Sequence, residues 1–447
     1  MEGGAAPEKD CAPHCQMSEN NVGVDTAQDG SSDQQRSNDT ITVVFTADNH
    51  LGYTTFGQQA VKREERQQRL RHAFQQATDF AVGQGVDLFV QAGDLFDATA
   101  PDERDRSFVS ARLAQLRQAG VRVFALGGVN DTPAETHRLL GDAAQAPQVS
   151  YAHLGVMHYF PPNPTELEPV MVKIRDMLVG ICGLGVLAGQ EGNPLTRAHG
   201  QSEIERAAVP ILLLHAPIEG LTTGRSLLDR RAQVSRSSIE DQSLFRYILA
   251  GYHHSYQHLH IGQCEVIVAG ATQHIDFSDP DQEPGFVFLG LAADGIRWCK
   301  HIAVDSLKLQ RLLLQTSELW PDGTSTTASI TESILEQLQP LCSEETMVQL
   351  RLEGQLTRGQ YHQLDLNQIR RFGEEHCFAL AIDDSGLEIL SELEAISAET
   401  GERFSPREEL MALADEWIAA AHDEQEKKAL RATKEDLLAA MDEVKRR

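Results

Sequence analysis

Residues 41–53 read ITVVFTADNHLGY, and residues 86–97 read VDLFVQAGDLFD. Each stretch opens with a short run of β-branched and other apolar residues, which is the pattern of a strand buried on both faces. Each run is followed directly by side chains that can bind a metal ion. These side chains are Asp48 and His50 in the first stretch and Asp94 and Asp97 in the second.

A helix is predicted between the two strands. Arg63 to Gly85 carries apolar residues at helical spacing and ends in glycines. A strand, a helix and a second strand in this order form a right-handed crossover, so the two strands are parallel and their loops open at one edge of the sheet. Open α/β sheets bind ligands at that edge. We therefore expect an α/β fold with its functional site there.

Composition limits the choice of function. The chain has 447 residues and is 41% hydrophobic, which is enough for two or three folded parts. Its 66 acidic residues outnumber 39 basic ones, for a net charge of −27. No broad electrostatic field therefore draws the chain to nucleic acid, and phosphate chemistry would need bound cations or a basic partner.

Cysteine content, hydropathy and the N-terminal composition give expectations about the cellular compartment and about disorder. The seven cysteines have no paired spacing, which indicates reduced thiols and a cytoplasmic protein. Neither a signal peptide nor an apolar run of about 18 residues is present, so no membrane association is predicted. Residues 1–39 lack aromatic residues and are rich in polar ones, so we expect a disordered acidic tail.

Later strands also end in candidate ligands. His215 follows the predicted strand Ile211 to Leu214, and His254 lies just beyond the predicted strand Tyr247 to Ala250. Carboxylates combined with imidazoles suit Mn²⁺, Fe²⁺ or Zn²⁺, and two such ions ~3.5–4 Å apart can clamp a phosphoryl group. One such residue after a strand is most simply a loop cap, but five residues share this position. They are Asp48, His50, Asp94, His215 and His254.

These residues carry a resemblance to a known family. The D-x-H pair, GDLFD, the strand-end histidine and a G-x-x-H sequence look like the calcineurin-like metallophosphoesterases. More narrowly, ADNHLGY, AGDLFD and GATQHIDFSDPDQEPGFVFL resemble the DNA double-strand-break repair nucleases that include bacterial SbcD. The resemblance implies a four-layer α/β/β/α sandwich and a Mn²⁺-dependent exonuclease with single-strand endonuclease activity. It also implies an SMC-like ATPase partner similar to SbcC.

The resemblance assigns the first metal site completely. The residues in the four family positions are Asp48, His50, Asp94 and His254. The second site keeps only the bridging Asp94 and His215, because Val129 and Tyr252 stand where the family has asparagine and histidine.

The third loop carries the two candidate catalytic residues, Asn130 and Asp131. Asn130 replaces the family's transition-state histidine, and an amide can donate a hydrogen bond but cannot protonate a leaving oxygen.

Two interpretations of these departures stay open. In one, the second metal is weakened or lost, and the chain is a slow nuclease or an inactive adaptor that positions the ATPase at DNA ends. In the other, a one-residue loop shift brings Asn130 and His253 into the empty ligand positions, which requires backbone rearrangement in both loops. We expect one tightly bound Mn²⁺ and a second ion bound weakly or only with substrate.

The rest of the chain is expected to hold two smaller parts. Residues 40–305 form the nuclease domain, residues 306–395 form a small α/β cap, and residues 396–447 form helices that bind a partner. The first C-terminal helix is expected to begin at Pro406 and the second at Thr433, and each has an apolar stripe. Those stripes either dock on their own domain or on the ATPase, and a homodimer is left open. A small-molecule phosphodiesterase is disfavoured by these additions.

Overall fold

The fold is known from a computed structural model, which describes residues 39–54, 60–134, 145–197, 203–221, 232–320, 330–390, 406–421 and 423–444. Residues 1–38 of the predicted tail lie outside these ranges. Among the helices in these ranges, none is long and apolar enough to cross a membrane.

The first of two six-stranded sheets contains the first four strands and the last two strands of the large domain. Its strands are β1 (Ile41–Thr46), β2 (Leu88–Ala92), β3 (Arg122–Leu126), β4 (His158–Phe160), β11 (Gly285–Ala292) and β12 (Gly295–Ala303). Their order is β12-β11-β1-β2-β3-β4, with β1 to β4 parallel and β11 and β12 antiparallel.

The second six-stranded sheet uses the middle of the chain. Its strands are β5 (Val170–Ile174), β6 (Met177–Gly185), β7 (Val209–His215), β8 (Tyr247–Gly251), β9 (Gln257–Ile261) and β10 (Cys264–Val268). The order is β5-β6-β7-β8-β10-β9, and the four central strands are parallel. A third, all-parallel sheet contains β13 (Lys308–Gln315), β14 (Thr346–Thr357) and β15 (Ala379–Leu390), and we call it the small sheet.

Ten α-helices are described, with short 3₁₀ turns at Pro194–Arg197, Ile204–Arg206 and Gln339–Leu341. The helices are α1 (Ala60–Gln84), α2 (Glu103–Gln118), α3 (Gln148–His153), α4 (Arg236–Asp241), α5 (Thr316–Leu319), α6 (Ile330–Leu338), α7 (Arg358–Gln363), α8 (Leu366–His376), α9 (Pro406–Ala420) and α10 (Glu424–Val444).

The two large sheets stack face to face and are covered on their outer sides. Val43 and Phe45 of β1 point into the core between the sheets, while Val44 points to the core under α1 and α2. Since both faces of β1 are buried, its sequence is a continuous apolar run rather than an alternating one. The second sheet packs its outer face against α4 and the 3₁₀ turns at Pro194–Arg197 and Ile204–Arg206. This is the four-layer α/β/β/α sandwich that the resemblance implied.

The predicted crossover is confirmed in detail. β1 and β2 are adjacent and parallel, with Val43 opposite Leu88. α1 lies between them in the chain and buries Leu70, Phe74 and other residues of the predicted apolar stripe. It ends at Gln84, and the next residue is Gly85, whose φ of 57° is a conformation that glycine adopts without strain. The loops after β1 and β2 therefore open side by side.

Five strands were not predicted, and all five lie at sheet edges. They are β4, β5, β9, β12 and β13. An edge strand has one side without a neighbouring strand and tolerates charged residues, as in the sequence GIRWCKHIA of β12. Such strands lack the apolar run that identified the central ones.

Two further predictions need correction. α10 begins at Glu424 and not at Thr433. The sequence prediction missed its first two turns because they are polar and carry no apolar stripe, although their residues favour helix. α9 does begin at Pro406.

The expectation of reduced cysteines is wrong for Cys342 and Cys377, which the structure joins in a disulfide across 35 residues. Only the packing of the small sheet brings these two residues together.

Candidate metal centre

The candidate site lies where loops leave the parallel strands of both large sheets, and its backbone is strained. In the described chain, five non-glycine residues have a positive φ, and four of them belong to this site. They are Asp48 (48°), His50 (46°), Asp94 (52°) and Tyr252 (79°). Strain of this kind persists only where the surrounding structure fixes the backbone, and it concentrates at functional sites.

Backbone hydrogen bonds hold the first two loops together. The amide of Asp48 donates to the carbonyl of Gly93, and the amide of His50 donates to the carbonyl of Asp94, each at 3.0 Å. The two loops therefore form one rigid unit that presents three buried side chains. The exposed fraction is 0% for Asp48 and His50 and 2% for Asp94.

The five predicted ligands are brought together in two buried clusters. One consists of Asp48, His50 and His254, the other of Asp48, Asp94 and His215, and within each the ligand atoms lie within 4.8 Å of one another. Asp48 is thus common to both clusters, whereas the resemblance assigned the bridging role to Asp94. Asp94 remains 3.9 Å from Nε2 of His50.

Two of the three imidazoles present to the clusters a nitrogen atom that makes no hydrogen bond within the described structure. Nε2 of His50 and Nε2 of His215 are buried and have no hydrogen-bond partner within the described structure. A buried polar atom without a partner is costly, and a lone pair on Nε2 is the usual way in which histidine binds a metal. The set of carboxylate oxygens and imidazole nitrogens therefore fits divalent transition-metal ions.

The opposite nitrogen of each of the three histidines is held by an acceptor. Nδ1 of His215 lies 2.8 Å from the carbonyl oxygen of Ala92. Nδ1 of His254 lies 2.6 Å from Oδ1 of Asp279, and Nδ1 of His50 lies 3.0 Å from Oδ1 of Asp97. Since carbonyl and carboxylate oxygens only accept, each Nδ1 donates and each Nε2 is left as the ligand atom.

Electrostatics within the clusters are strongly coupled. Burial opposes ionisation of Asp94, but His215, His50 and the backbone amide of Asn130 together outweigh it and hold the pKa of the Asp94 carboxyl well below its usual range. Burial would lower the pKa of His215, but Asp94, Asp48 and the carbonyl of Ala92 together raise that pKa to about 9. For Asp48, burial raises the pKa, and the nearby histidines offset this only in part. A cation placed between these carboxylates would stabilise their charged forms.

Asn130 lies in the site. Its backbone amide donates to Oδ1 of Asp94 and its side-chain Nδ2 donates to Oδ2 of the same residue, both at 2.8 Å. Nδ2 is also 3.3 Å from Nδ1 of His50. Val129 packs instead against the core of the second sheet. The residue one position later thus faces the candidate ligands Asp94 and His50, and it contacts them through its donor Nδ2.

His253 does not follow the same pattern. Its Nε2 accepts a hydrogen bond of 2.9 Å from the amide of Ile218, and it belongs to neither cluster found among the described residues. The ring of Tyr252 packs edge-on against His215, with centroids 5.6 Å apart. The backbone amide of Tyr252 donates to Oδ2 of Asp48 at 2.9 Å. At Tyr252 the loop after β8 therefore contributes a backbone donor, and His253 does not lie where the shifted-loop interpretation requires it.

Asp131 joins the loops rather than facing the clusters. Its Oδ2 accepts from the amide of Leu95 at 2.8 Å and from that of Phe96 at 3.3 Å, and Oδ1 accepts from the amide of Gly128 at 2.8 Å. Burial, and then repulsion by Asp94, raise the pKa of Asp131 to about 7. This carboxylate fixes the loop after β3 onto the loop after β2.

Glycines allow the loops to approach so closely. A Cβ atom at Gly128 would overlap the backbone nitrogen and the carboxylate of Asp94. A Cβ atom at Gly93 would overlap the ring of His215. Both positions therefore require glycine for a steric reason.

The roles of two side chains as histidine partners were not predicted. Asp279 contacts His254, and it lies within the family-like stretch GATQHIDFSDPDQEPGFVFL but was given no role there. Asp97 was named as a possible ligand, and the structure places it against Nδ1 of His50 instead. Partners of ligands are found through the fold and not through motif spacing.

Residues 41–227 match the model of the calcineurin-like phosphoesterase family. This segment is a calcineurin-like phosphoesterase domain. The matched part of the phosphoesterase domain contains Asp48, His50, Asp94 and His215, whereas His254 lies beyond it.

Curated relatives match a shorter stretch of the chain. A DNA double-strand break repair protein Mre11 of Sulfurisphaera tokodaii is 29% identical over 84 residues, which is 19% of this chain and 22% of that protein. The Mre11 protein of Thermoplasma acidophilum is 33% identical over 88 residues, or 20% of this chain and 22% of that protein. The chain thus spans about a fifth of the length of these relatives.

Solved structures are similar at a lower level. A putative 5'-nucleotidase from Staphylococcus aureus aligns with 68% of this chain and 59% of its own, at 13% identity and a TM-score of 0.35.

Proposed function

We propose that this chain is a metal-dependent phosphodiesterase that processes DNA ends in DNA repair. The observation that carries this proposal is the pair of buried clusters that share Asp48 and present unpartnered Nε2 atoms of His50 and His215. Within a phosphoesterase domain, such a pair fits two divalent ions at the carboxyl edge of a sheet. The relatives named as DNA double-strand break repair proteins support DNA as the substrate.

The residues have distinct proposed roles. Asp48, His50 and His254 hold a first divalent ion, and Asp48, Asp94 and His215 hold a second. When bound, the ions supply Lewis-acid activation of the phosphoryl oxygen and of the attacking water. Mn²⁺ is the ion we propose, because mixed oxygen and nitrogen ligands suit it.

The remaining side chains position these ligands. Asp97 and Asp279 orient the rings of His50 and His254 through Nδ1. Asn130 orients Asp94 with two hydrogen bonds and can donate to substrate, but it cannot supply a proton to a leaving oxygen. We propose Asp131 as a positioning residue, since its contacts are with loop amides. Proton transfer to the leaving group is then left to water, and we expect slow turnover.

The proposed partner is an SMC-like ATPase. The net charge of −27 gives this chain no general attraction for DNA, so a second subunit would supply much of the DNA contact. Exposed apolar side chains on α9 and α10 offer a surface for it, including Trp417 at 49% exposure.

The test is cleavage of linear double-stranded and single-stranded DNA by the chain loaded with Mn²⁺. Asp94→Ala should abolish cleavage and lower the bound Mn²⁺, because Asp94 is a ligand. Asp79→Ala, which removes an exposed carboxylate paired with Arg112, is the matched control and should change neither. Wild-type protein that binds Mn²⁺ but cleaves no DNA would contradict the nuclease and favour the second candidate.

That second candidate is an adaptor that holds the ATPase at DNA ends without cutting. It is favoured by two departures from the family pattern. Val129 and Tyr252 stand where the family has ligands, and Nε2 of His253 accepts a hydrogen bond from Ile218 and does not face a cluster. If the chain is an adaptor, the complex of Asp94→Ala with the ATPase should bind DNA ends with the same affinity as the wild-type complex.

A further inference from the structure

The loop between β10 and β11, residues 269–284, connects the metal centre to the small sheet. Its Asp279 is 1% exposed and uses both carboxylate oxygens. Oδ1 lies 2.6 Å from Nδ1 of His254, and Oδ2 accepts from the amides of Ile275 and Asp276. The carboxylate is thus fixed by its own loop on one side and fixes the His254 ring on the other.

The small sheet holds this loop through one arginine. Arg311 of β13 donates from Nε and Nη2 to the carbonyl of Phe277, at 3.3 and 3.0 Å, and from Nη2 to the carbonyl of Asp279. Its Nη1 also pairs with Asp281. One guanidinium therefore contacts three residues of the loop, a geometry that lysine cannot reproduce.

Apolar packing supports the same junction. Phe277 is buried with Leu307, Met347, Phe378 and Ala379, which belong to the small sheet and its approach. On the other side of the loop, Arg66 of α1 donates to the carbonyl of His274. The segment from His274 to Asp281 is thus held between the phosphoesterase domain and the small sheet.

We propose that Arg311 is a positioning residue that couples the small sheet to the metal ligand His254 through Asp279. The chain of contacts is short and continuous, from the guanidinium to the backbone of Asp279, and from the Asp279 carboxylate to the imidazole. A displacement of β13 would release the loop and loosen the His254 ring. This inference rests on the proposed function in taking His254 as a ligand of the first divalent ion.

The test is a double-mutant cycle with Mn²⁺ affinity as the readout, measured by equilibrium dialysis on the full chain. Asp279→Ala should weaken Mn²⁺ binding about 10- to 100-fold, as expected for the loss of a partner of a metal-binding histidine. Arg311→Ala should weaken it by at most about tenfold, because it acts one contact further away. The double variant should bind Mn²⁺ no more weakly than Asp279→Ala alone.

The control is Arg351→Ala on the neighbouring strand β14. Arg351 is also a half-exposed arginine in ion pairs, with Glu353 and Asp383, but it contacts no part of the loop. It should leave Mn²⁺ affinity unchanged. Arg311→Lys should recover part of the affinity, since one cation can still reach one carbonyl.

A second readout does not involve metal. In metal-free protein, Arg311→Ala should speed hydrogen exchange at the amides of Ile275 and Asp276, and Arg351→Ala should not. If Asp279→Ala fails to fold, Asp279→Asn replaces it in the cycle.

The inference would be overturned if Arg311→Ala lowered Mn²⁺ affinity by the same factor in the wild-type chain and in the Asp279→Ala variant. A wild-type chain that binds no Mn²⁺ would contradict the proposed function instead, and hydrogen exchange alone would then decide whether Arg311 holds Asp279.

Discussion

At the scale of single residues, the metal centre depends on unusual backbone conformations. Asp48, His50 and Asp94 have left-handed φ values, which aspartate and histidine tolerate better than most side chains do. Each such residue costs about 1–3 kcal/mol. The surrounding loops must therefore supply the close contacts that keep these residues in place.

Gly128 provides a sharp test of this packing. Gly128→Ala should abolish binding of Mn²⁺ at the second cluster, because the new methyl group would displace the Asp94 carboxylate. Mn²⁺ stoichiometry by equilibrium dialysis measures the effect. Gly83→Ala is the matched control, since nothing lies within 4 Å of a Cβ at that helical position. Full occupancy of both ions in Gly128→Ala would show that the loops can relax.

The departures from the family pattern are also testable at this scale. Replacing Asn130→His and Tyr252→His together should raise the rate of DNA cleavage, because both side chains face the second cluster and the double variant adds a proton donor and a ligand. Val129→Asn should add no ligand, since Val129 packs against the core of the second sheet. Each change alone should do little, since the groups act as a unit. Steady-state cleavage rates at saturating Mn²⁺ give the answer, and a single variant with the full gain would contradict it.

At the scale of elements, Asp131 holds two strand-end loops together. Asp131→Ala leaves the amides of Leu95, Phe96 and Gly128 without their acceptor, and it should lower the free energy of unfolding by about 3 kcal/mol. Chemical denaturation measures this loss, and Asp79→Ala should show little change. A catalytic role for Asp131 predicts the opposite pattern, with lost cleavage at unchanged stability.

At the scale of the whole molecule, the C-terminal helices are the surface proposed for the ATPase. α9 and α10 are linked by Lys434 and Asp415, and Arg358 pairs with Glu416 to join α9 to the chain that follows β14. Met411, Trp417 and Leu437 nevertheless remain 39%, 49% and 46% exposed. Their apolar stripes are therefore only partly covered by their own chain.

Deleting residues 396–447 should abolish co-purification with an SMC-like ATPase and leave Mn²⁺ binding intact. Trp417→Glu should weaken the association, because it puts a charge into an apolar contact. Ala432→Glu, at an exposed position of α10, should not. A truncated chain that aggregates or loses Mn²⁺ would instead make these helices part of the folded core.

The sequence by itself determined the central strands, the crossover helix and the five candidate ligands. It could do so because a buried strand has a continuous apolar run and the residue after a parallel strand must lie at the sheet's carboxyl edge. These signals are local. Edge strands such as β12 have no such run, so their pairing was decided only by the folded sheets.

Only the tertiary structure decided how the ligands are used. Spacing could not tell that Asp48 belongs to both clusters, that Asn130 faces Asp94, or that His253 turns to Ile218. The direction of a side chain after a strand depends on the φ of each loop residue, and here several of those angles are positive. The partners that orient the histidines come from distant segments, because hydrogen bonds form between residues that folding brings together.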